Sequence, residues 1–252
     1  MLESPSTPRS APSTPGGLKS HLPHLFGSRV LIVAAHPDDE VLGCGETIRL
    51  LVEEGVEIFV LYLSDGVTSR GSHGDKRDSQ DIESRLSDAK LALRELGVRN
   101  FKALGLRDNQ LDTYPVLELA KLVEFEVSDF APSFVFTHSR SDLNVDHRLA
   151  NQVVLTACRP QPGSPVIGVA CFEVLSSTGW QFDAMNRFSP NLFVDIAQSL
   201  ESKISAFRYF KDEIREFPHS RSVDALESLA KLRGAELGVF AAEAFELLYL
   251  KA

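Results

Sequence analysis

Residues 29–40 read RVLIVAAHPDDE, and this stretch decides the fold class. Its first half is a nearly continuous apolar run, which is typical of a strand buried on both faces of a sheet. Four polar or ionisable residues follow within five positions. Apolar residues then recur at helical spacing from Glu40 to Glu54, and Gly55 ends the pattern. A strand, a polar turn and a helix in this order predict the beginning of a βαβ unit.

Strands and helices continue to alternate along the chain. Further strands are predicted at residues 56–63, 101–104, 133–137, 166–175 and 192–196, and helices at 79–96, 115–130, 146–158, 198–216 and 222–249, the last open to a break near Gly234 or Gly238. This alternation indicates an α/β, Rossmann-like, mostly parallel sheet with helices on both faces. Ligands of such folds bind at the carboxyl ends of the strands.

The N-terminal segment has a different composition. Residues 1–27 are rich in Ser, Thr, Pro and Gly, and the sequence PSTP occurs twice. Such a segment buries little apolar surface, so we expect a disordered tail at 1–27 and a single α/β domain at 28–252. Whether the tail serves docking, serves phosphorylation or is an inert extension stays open.

Charge and cysteine content narrow the class of protein. The 26 basic and 35 acidic residues give a net charge of −9, which argues against nonspecific binding to nucleic acid or anionic membranes. The three cysteines are odd in number and form no CxxC pair, as in reduced cytoplasmic proteins. No apolar run approaches the ~18–20 residues of a transmembrane helix, and the N-terminus lacks the apolar core of a signal peptide. We therefore expect a cytoplasmic protein without a transmembrane segment.

The first predicted strand ends in a cluster of potential metal ligands. His36 and Asp39 are three residues apart, and Pro37 stiffens the turn between them. Imidazole nitrogen and carboxylate oxygen together suit zinc. The alternative is purely structural, because Asp38 or Asp39 would also serve as the N-cap of the following helix.

A second polar cluster, THSRSDLNVDH at residues 137–147, follows the predicted strand 133–137. A ligand from this segment would complete a His, Asp, His set with an open position for water, as in catalytic zinc sites. Two His and one carboxylate also describe non-haem iron oxygenases, although the HxxD spacing differs. Gly43 and Gly45 form only a partial dinucleotide-binding motif, which is a weak signal.

Several segments resemble the LmbE/PIG-L family of zinc-dependent N-acetyl-sugar deacetylases. They are AHPDDE at 35–40, SDG at 64–66, Arg85 with LGV at 96–98, GLRDN at 105–109 and DLNVDH at 142–147. The resemblance extends from about residue 29 to the C-terminus and implies one Zn²⁺ per chain. It further implies His36, Asp39 and His147 as ligands and Asp38 as the general base that deprotonates the attacking water.

The implied reaction releases acetate from an N-acetylglucosamine unit and leaves a free amine. The implied partner is a small amino-sugar conjugate, nucleotide-, lipid- or inositol-linked, and a homo-oligomer is possible. The open alternative is a non-catalytic sugar- or nucleotide-binding protein on the same scaffold.

The second motif departs from the family pattern. Many members read HPDH there, whereas this chain has Asn144 in place of the first His. An amide donates hydrogen bonds but is no acid at neutral pH. We expect His138 to replace the missing group, oriented by Asp142 or Asp146, and count His138, Asn144 and Asp146 as catalytic candidates beside Asp38. Alternatively, Asp38 carries the proton in both directions.

Other polar and aromatic residues are candidates for substrate binding. Arg85 matches a family arginine that contacts the glycan or its phosphate. The further candidates are Asp108, Asn109, Arg70, Lys76, Arg77, His219, Arg221, Trp180 and Phe182. Each of them has an ordinary alternative as a solvated or packed loop residue.

Overall fold

The computed structural model describes residues 22–69 and 77–251. The strands are β1 Arg29–Ala34, β2 Glu57–Ser64, β3 Asn100–Leu106, β4 Phe134–His138, β5 Gly168–Phe172, β6 Leu192–Asp195 and β7 Ala242–Leu250. The helices are α1 Leu22–Phe26, α2 Asp39–Glu53, α3 Arg77–Glu95, α4 Val116–Phe130, α5 Val145–Ala157, α6 Leu175–Thr178, α7 Leu200–Phe207 and α8 Val223–Leu237. Short 3₁₀ turns lie at Leu111–Thr113 and Ala184–Asn186.

The strands form one seven-stranded sheet in the order β3-β2-β1-β4-β5-β7-β6. Strands β1 to β5 pair in parallel, and β7 runs antiparallel between β5 and β6. The predicted mostly parallel α/β fold is therefore confirmed. The strand order reverses between β1 and β4, so their carboxyl ends border the crevice where such folds bind ligands.

Strand β1 is buried on both faces of the sheet, as its apolar run predicts. Val30 and Ile32 point into one apolar core, beneath α2, and Leu31 and Val33 into the other, beneath α4 and α5. Because alternate side chains of a strand face opposite sides, only a strand covered by two helical layers needs apolar residues at every position. This double burial holds the end of β1 rigidly.

The C-terminal prediction is wrong in one respect. The helix expected at 222–249 ends at Leu237, where Gly238 takes a left-handed conformation with φ 78°. The remaining residues form β7, which pairs with β5 and β6. Ala, Glu and Leu in this segment favour a helix, but pairing on both edges outweighs that weak preference. The helix predicted at 198–216 is also shorter and ends at Phe207.

The N-terminal boundary differs from the expected one at residue 27. Helix α1 lies inside the predicted tail, and its Phe26 is fully buried with its ring 4.7 Å from that of Phe134. Burial of this aromatic ring anchors α1 to the core. The rest of the predicted tail lies outside the described residues. Among the helices described, none has the length and apolar character to cross a membrane.

Candidate active site

The polar residues that follow β1 and β4 meet at the switch point of the sheet. His36 and Asp39 lie in the turn from β1 to α2, and His147 lies in the first turn of α5, after β4. All three side chains are buried. Gly66, after β2, packs beneath this turn with φ 69°, and a Cβ there would lie 3.1 Å from Cδ of Pro37. Glycine suits this position because it tolerates both the backbone angle and the close approach.

Three potential ligand atoms form a small triangle. Nδ1 of His36 lies 3.0 Å from Oδ2 of Asp39 and 3.2 Å from Nε2 of His147, and the last two atoms are 3.2 Å apart. Ligand atoms at about 2.0–2.2 Å from a tetrahedral metal lie about 3.3–3.6 Å from one another, slightly farther apart than the atoms of this triangle. Both the spacing and the N, O, N donor set therefore fit a metal ion with three protein ligands. The cluster could hold such an ion.

The second nitrogen of His36 faces two carboxylates. Its Nε2 lies 3.0 Å from Oδ1 of Asp108 and 3.3 Å from Oδ2 of Asp146. Asp146 in turn accepts hydrogen bonds from the backbone N–H groups of Asn109 and Leu111. Carboxylates in this position orient a ligating histidine and make it more basic. Asp146, predicted as catalytic, therefore contacts the ring nitrogen of His36 that faces away from the triangle.

His147 is oriented in the same way. Its Nδ1 lies 3.0 Å from Oδ2 of Asp142, so Nε2 faces the triangle. The same carboxylate oxygen accepts hydrogen bonds from the hydroxyls of Ser177 and Thr178 on α6. The orientation of His147 therefore depends on three segments of the chain.

The charged residues of the cluster shift one another's pKa values. Burial opposes charge on His147, but the carboxylates of Asp39 and Asp142 outweigh it and raise the pKa to about 9. Burial raises the pKa of Asp39, yet the three neighbouring histidines reverse the effect and hold it well below its ordinary value. Asp39 is consequently anionic throughout the neutral pH range.

Asp38 is placed beside the triangle in a constrained conformation. Its φ of 134° is rare for a residue with a side chain, and such strain clusters at functional sites. Oδ2 accepts hydrogen bonds from Arg85 and Arg221, both at 3.1 Å. Oδ1 is buried and has no hydrogen-bond partner among the described residues. Asp38 makes no side-chain cap for α2, so its geometry supports the chemical alternative over the capping one. Burial raises its pKa, although the two arginines oppose the shift.

His138 does not occupy the position expected for a catalytic acid. Its side chain is completely buried, and its ring stacks on that of His147 at 3.9 Å. Its Nε2 accepts a hydrogen bond from the backbone N–H of Ala35, and neither Asp142 nor Asp146 orients it as expected. Burial and the neighbouring His147 lower its pKa to about 4. A buried neutral imidazole packs against the ring of His147 but does not act as an acid at neutral pH.

Asn144 has a structural task that the sequence did not predict. It is the N-cap of α5, and its Oδ1 accepts hydrogen bonds from the N–H groups of Asp146 and His147. Its Nδ2 donates to Oδ1 of Asn109. Capping fixes the first turn of the helix that carries His147. The amide therefore acts on the site through the backbone.

The residues predicted to bind substrate differ in their burial and in their distance from the site. Arg85 is buried against Asp38, and Asp108 against His36. Asn109 is exposed at the edge of the site with φ 52°. Trp180 and Phe182 are exposed, and the Trp180 ring lies edge-on to His219. Arg70 and Lys76 lie outside the described residues, as does the side chain of Arg77.

Some contributors carry no signal in the sequence. Glu213 contacts Arg85 and Arg221, and the hydroxyls of α6 reach Asp142. Glu40 is buried and accepts hydrogen bonds from the hydroxyl of Tyr62 and the backbone N–H of Asp38. Only the position of Glu40, directly after the HPDD residues, could have singled it out.

Two sequence relatives are deacetylases by name. The chain is 30% identical over 168 residues to a probable N-acetyl-alpha-D-glucosaminyl L-malate deacetylase 2 of Bacillus cereus, covering 64% of this chain and 76% of that protein. It is 27% identical over 197 residues to the diacetylchitobiose deacetylase of Thermococcus kodakarensis, covering 75% and 71%. Both alignments cover more than two thirds of the relative.

A solved structure and a family model agree with these relatives. The N,N′-diacetylchitobiose deacetylase from Pyrococcus horikoshii superposes with a TM-score of 0.71 at 22% identity, over 88% of this chain and 84% of that one, and so shares the fold. The model of the PIG-L family, described as GlcNAc-PI de-N-acetylase, matches residues 31–158, about half of the chain. This match includes most of β1, all of β2 to β4 and the whole His36, Asp39 and His147 cluster. The chain therefore belongs to the PIG-L family.

Proposed function

We propose that this protein is a zinc-dependent hydrolase that removes the acetyl group from an N-acetylglucosamine-type amino-sugar conjugate. The observation that carries the proposal is the juxtaposition of Asp38 with the ligand triangle. Asp38 has a buried carboxylate with one oxygen unpartnered among the described residues, and it adjoins and interacts electrostatically with Asp39. Asp39 in turn forms, with His36 and His147, a set of atoms spaced for one metal ion. The names of the two curated relatives support amide hydrolysis on N-acetylated sugars.

Each side chain then has a defined role. His36, Asp39 and His147 would hold Zn²⁺, with Asp108, Asp146 and Asp142 orienting the two imidazoles. When bound, the ion lowers the pKa of water and polarises the amide carbonyl. Oδ1 of Asp38 takes the proton of the attacking water, and because burial raises its pKa, Asp38 is a stronger base than an ordinary aspartate.

The amine must gain a proton before it leaves. His138 is buried and Asn144 caps a helix, so neither is placed to protonate it. Asp38 has just received a proton and lies next to the reaction centre. We therefore favour Asp38 as the carrier in both directions, with Asn109 at the exposed edge contacting the sugar hydroxyls.

The test is acetate release from a panel of conjugates by the zinc-loaded full-length protein. The panel contains N-acetylglucosamine, N,N′-diacetylchitobiose, and malate-, nucleotide- and inositol-lipid-linked N-acetylglucosamine. We expect release from one class. Asp38→Asn should keep one zinc per chain and lose several orders of magnitude in rate, since it removes the base. His147→Ala should lose the metal itself.

The same panel separates the enzyme from a non-catalytic sugar- or nucleotide-binding protein. Saturable binding of one conjugate without acetate release, by protein that holds one zinc per chain, would favour the binding protein. Equal rates for wild type and Asp38→Asn would show that the base is misassigned.

A further inference from the structure

Asp38 belongs to a closed ring of four charged residues. Arg85 contacts Oδ2 of Asp38 at 3.1 Å and Oε1 of Glu213 at 2.8 Å. Arg221 contacts the same Oδ2 at 3.1 Å and also Oε2 of Glu213. Each guanidinium thus bridges the same two carboxylates, and the four formal charges cancel.

The ring joins distant parts of the chain. Asp38 stands in the β1–α2 turn and Arg85 on α3, whereas Glu213 and Arg221 come from the segment between α7 and α8. Arg221 is 183 positions from Asp38 in the sequence and lies outside residues 31–158, the part matched by the family model. Its Nε donates to the hydroxyl of Ser176 on α6, which fixes the guanidinium from a further side.

The two bridges act on one oxygen of the Asp38 carboxylate and not on the other. Both arginines donate to Oδ2, and Oδ1 is buried without a hydrogen bond among the described residues. A carboxylate held at one oxygen by two planar, fixed guanidinium groups cannot rotate to exchange its oxygens without breaking both contacts. The ring therefore aims Oδ1 in one direction.

We propose that Arg221, fixed by Glu213, is a positioning residue that orients the carboxylate of Asp38 for proton transfer. This inference rests on the proposed function, in which Asp38 is the base. Arg221 acts through Asp38 and not on the substrate. The segment between α7 and α8 thereby completes an active site whose other parts come from the matched half of the chain.

Thermal unfolding of the zinc-loaded full-length protein tests the contact between Arg221 and Asp38 independently of activity. Arg221→Ala leaves a buried negative charge without its partner, so we expect the midpoint to fall by about 5–10 °C. In an Asp38→Asn background the ring has a surplus positive charge, and removal of Arg221 restores neutrality. There the same substitution should shift the midpoint by less than about 2 °C or raise it. An equal fall in both backgrounds would overturn the proposal.

Steady-state kinetics test the positioning role of Arg221. They are measured on the conjugate that the wild type deacetylates. Arg221→Ala should lower kcat by at least about tenfold with KM changed less than about threefold, since the substrate contacts are intact. Guanidinium chloride at millimolar concentration should restore part of kcat, whereas sodium chloride at equal ionic strength should not. Zinc content should stay at one per chain. An unchanged kcat, or a loss explained by lost zinc, would overturn the proposal.

Arg233→Ala provides the matched control. The side chain of Arg233, on α8, is 14% exposed, against 21% for that of Arg221. Arg233 holds Glu173, not Asp38, by two contacts of 2.7 and 2.9 Å. Arg233→Ala should lower the midpoint of thermal unfolding by the same amount in the wild-type and Asp38→Asn backgrounds, and it should leave kcat unchanged. If the wild type deacetylates no conjugate, the proposed function fails on that ground, while the thermal shifts still decide whether Arg221 holds Asp38.

Discussion

Oδ2 of Asp142 lies 3.0 Å from Nδ1 of His147. This contact turns the opposite nitrogen of His147 toward Asp39, at 3.2 Å. In the sequence Asp142 lies four positions from His138 and five from His147, and it is predicted as a group that orients His138. The structure pairs it with His147 because α5 brings that ring over the carboxylate, while the ring of His138 points back to the N–H of Ala35.

The first prediction concerns this pair. Asp142→Asn should weaken zinc binding by about 10- to 100-fold, because the amide no longer orients the imidazole or makes it more basic. Competition with a chromophoric chelator measures the affinity. Asp183→Asn, an exposed capping aspartate, should leave it unchanged. An unaltered affinity in Asp142→Asn would show that the contact does not support the ligand.

The second prediction separates capping from catalysis at Asn144. Asn144→Ala should lower the free energy of unfolding by about 0.5–2 kcal/mol, since α5 loses its N-cap. Asn144→Ser keeps a capping oxygen without the amide and should restore both stability and kcat. Urea unfolding and acetate release measure the two effects. A serine variant with full stability but low kcat would instead assign the amide a direct part in the reaction.

The third prediction concerns the close contact of α2 with β5. A Cβ at Gly43 would lie 2.2 Å from Cδ2 of Phe172, so Gly43→Ala should destabilise the fold by about 1–3 kcal/mol or more. Gly45→Ala is the matched control, because its nearest neighbour is Cγ of Lys203 at 3.3 Å. We expect a clearly smaller effect there in urea unfolding. Equal costs would mean that helix propensity, not packing, governs both positions.

The fourth prediction concerns pH and stability at Glu46 on α2. Burial raises the pKa of Glu46 from its ordinary 4.5 to about 7. The folded state therefore binds the proton more tightly than the unfolded state, so this contribution to stability is complete below pH 4.5. It is lost as the pH rises through 7, by up to about 3 kcal/mol.

Urea unfolding between pH 4.5 and 8 tests this sign. Glu46→Gln cannot titrate, so it should gain stability relative to the wild type as the pH rises. Glu53→Gln, on the exposed face of the same helix, should show no such trend. If the wild type instead became more stable relative to Glu46→Gln as the pH rises, the raised pKa of Glu46 would be contradicted.

Local patterns were sufficient to predict most of the core architecture. The apolar run of β1 predicts a strand buried on both faces, and the HxxD turn after it predicts two ligands on one side. In each case the relevant residues are neighbours in the sequence, so backbone geometry alone brings them together. Strand β7 escaped prediction because Ala, Glu and Leu favour a helix until two partner strands are present.

By itself, the sequence determined the α/β class, the PIG-L resemblance and the position of the polar clusters at the strand ends. Only the tertiary structure decided which carboxylate serves which histidine, that Asn144 caps a helix and that Arg221 reaches Asp38. The physical reason is the separation of the interacting residues along the sequence. Periodicity and motif spacing describe residues a few positions apart, whereas Asp38 and Arg221 are 183 positions apart and meet only when α7, α8 and the sheet have packed together.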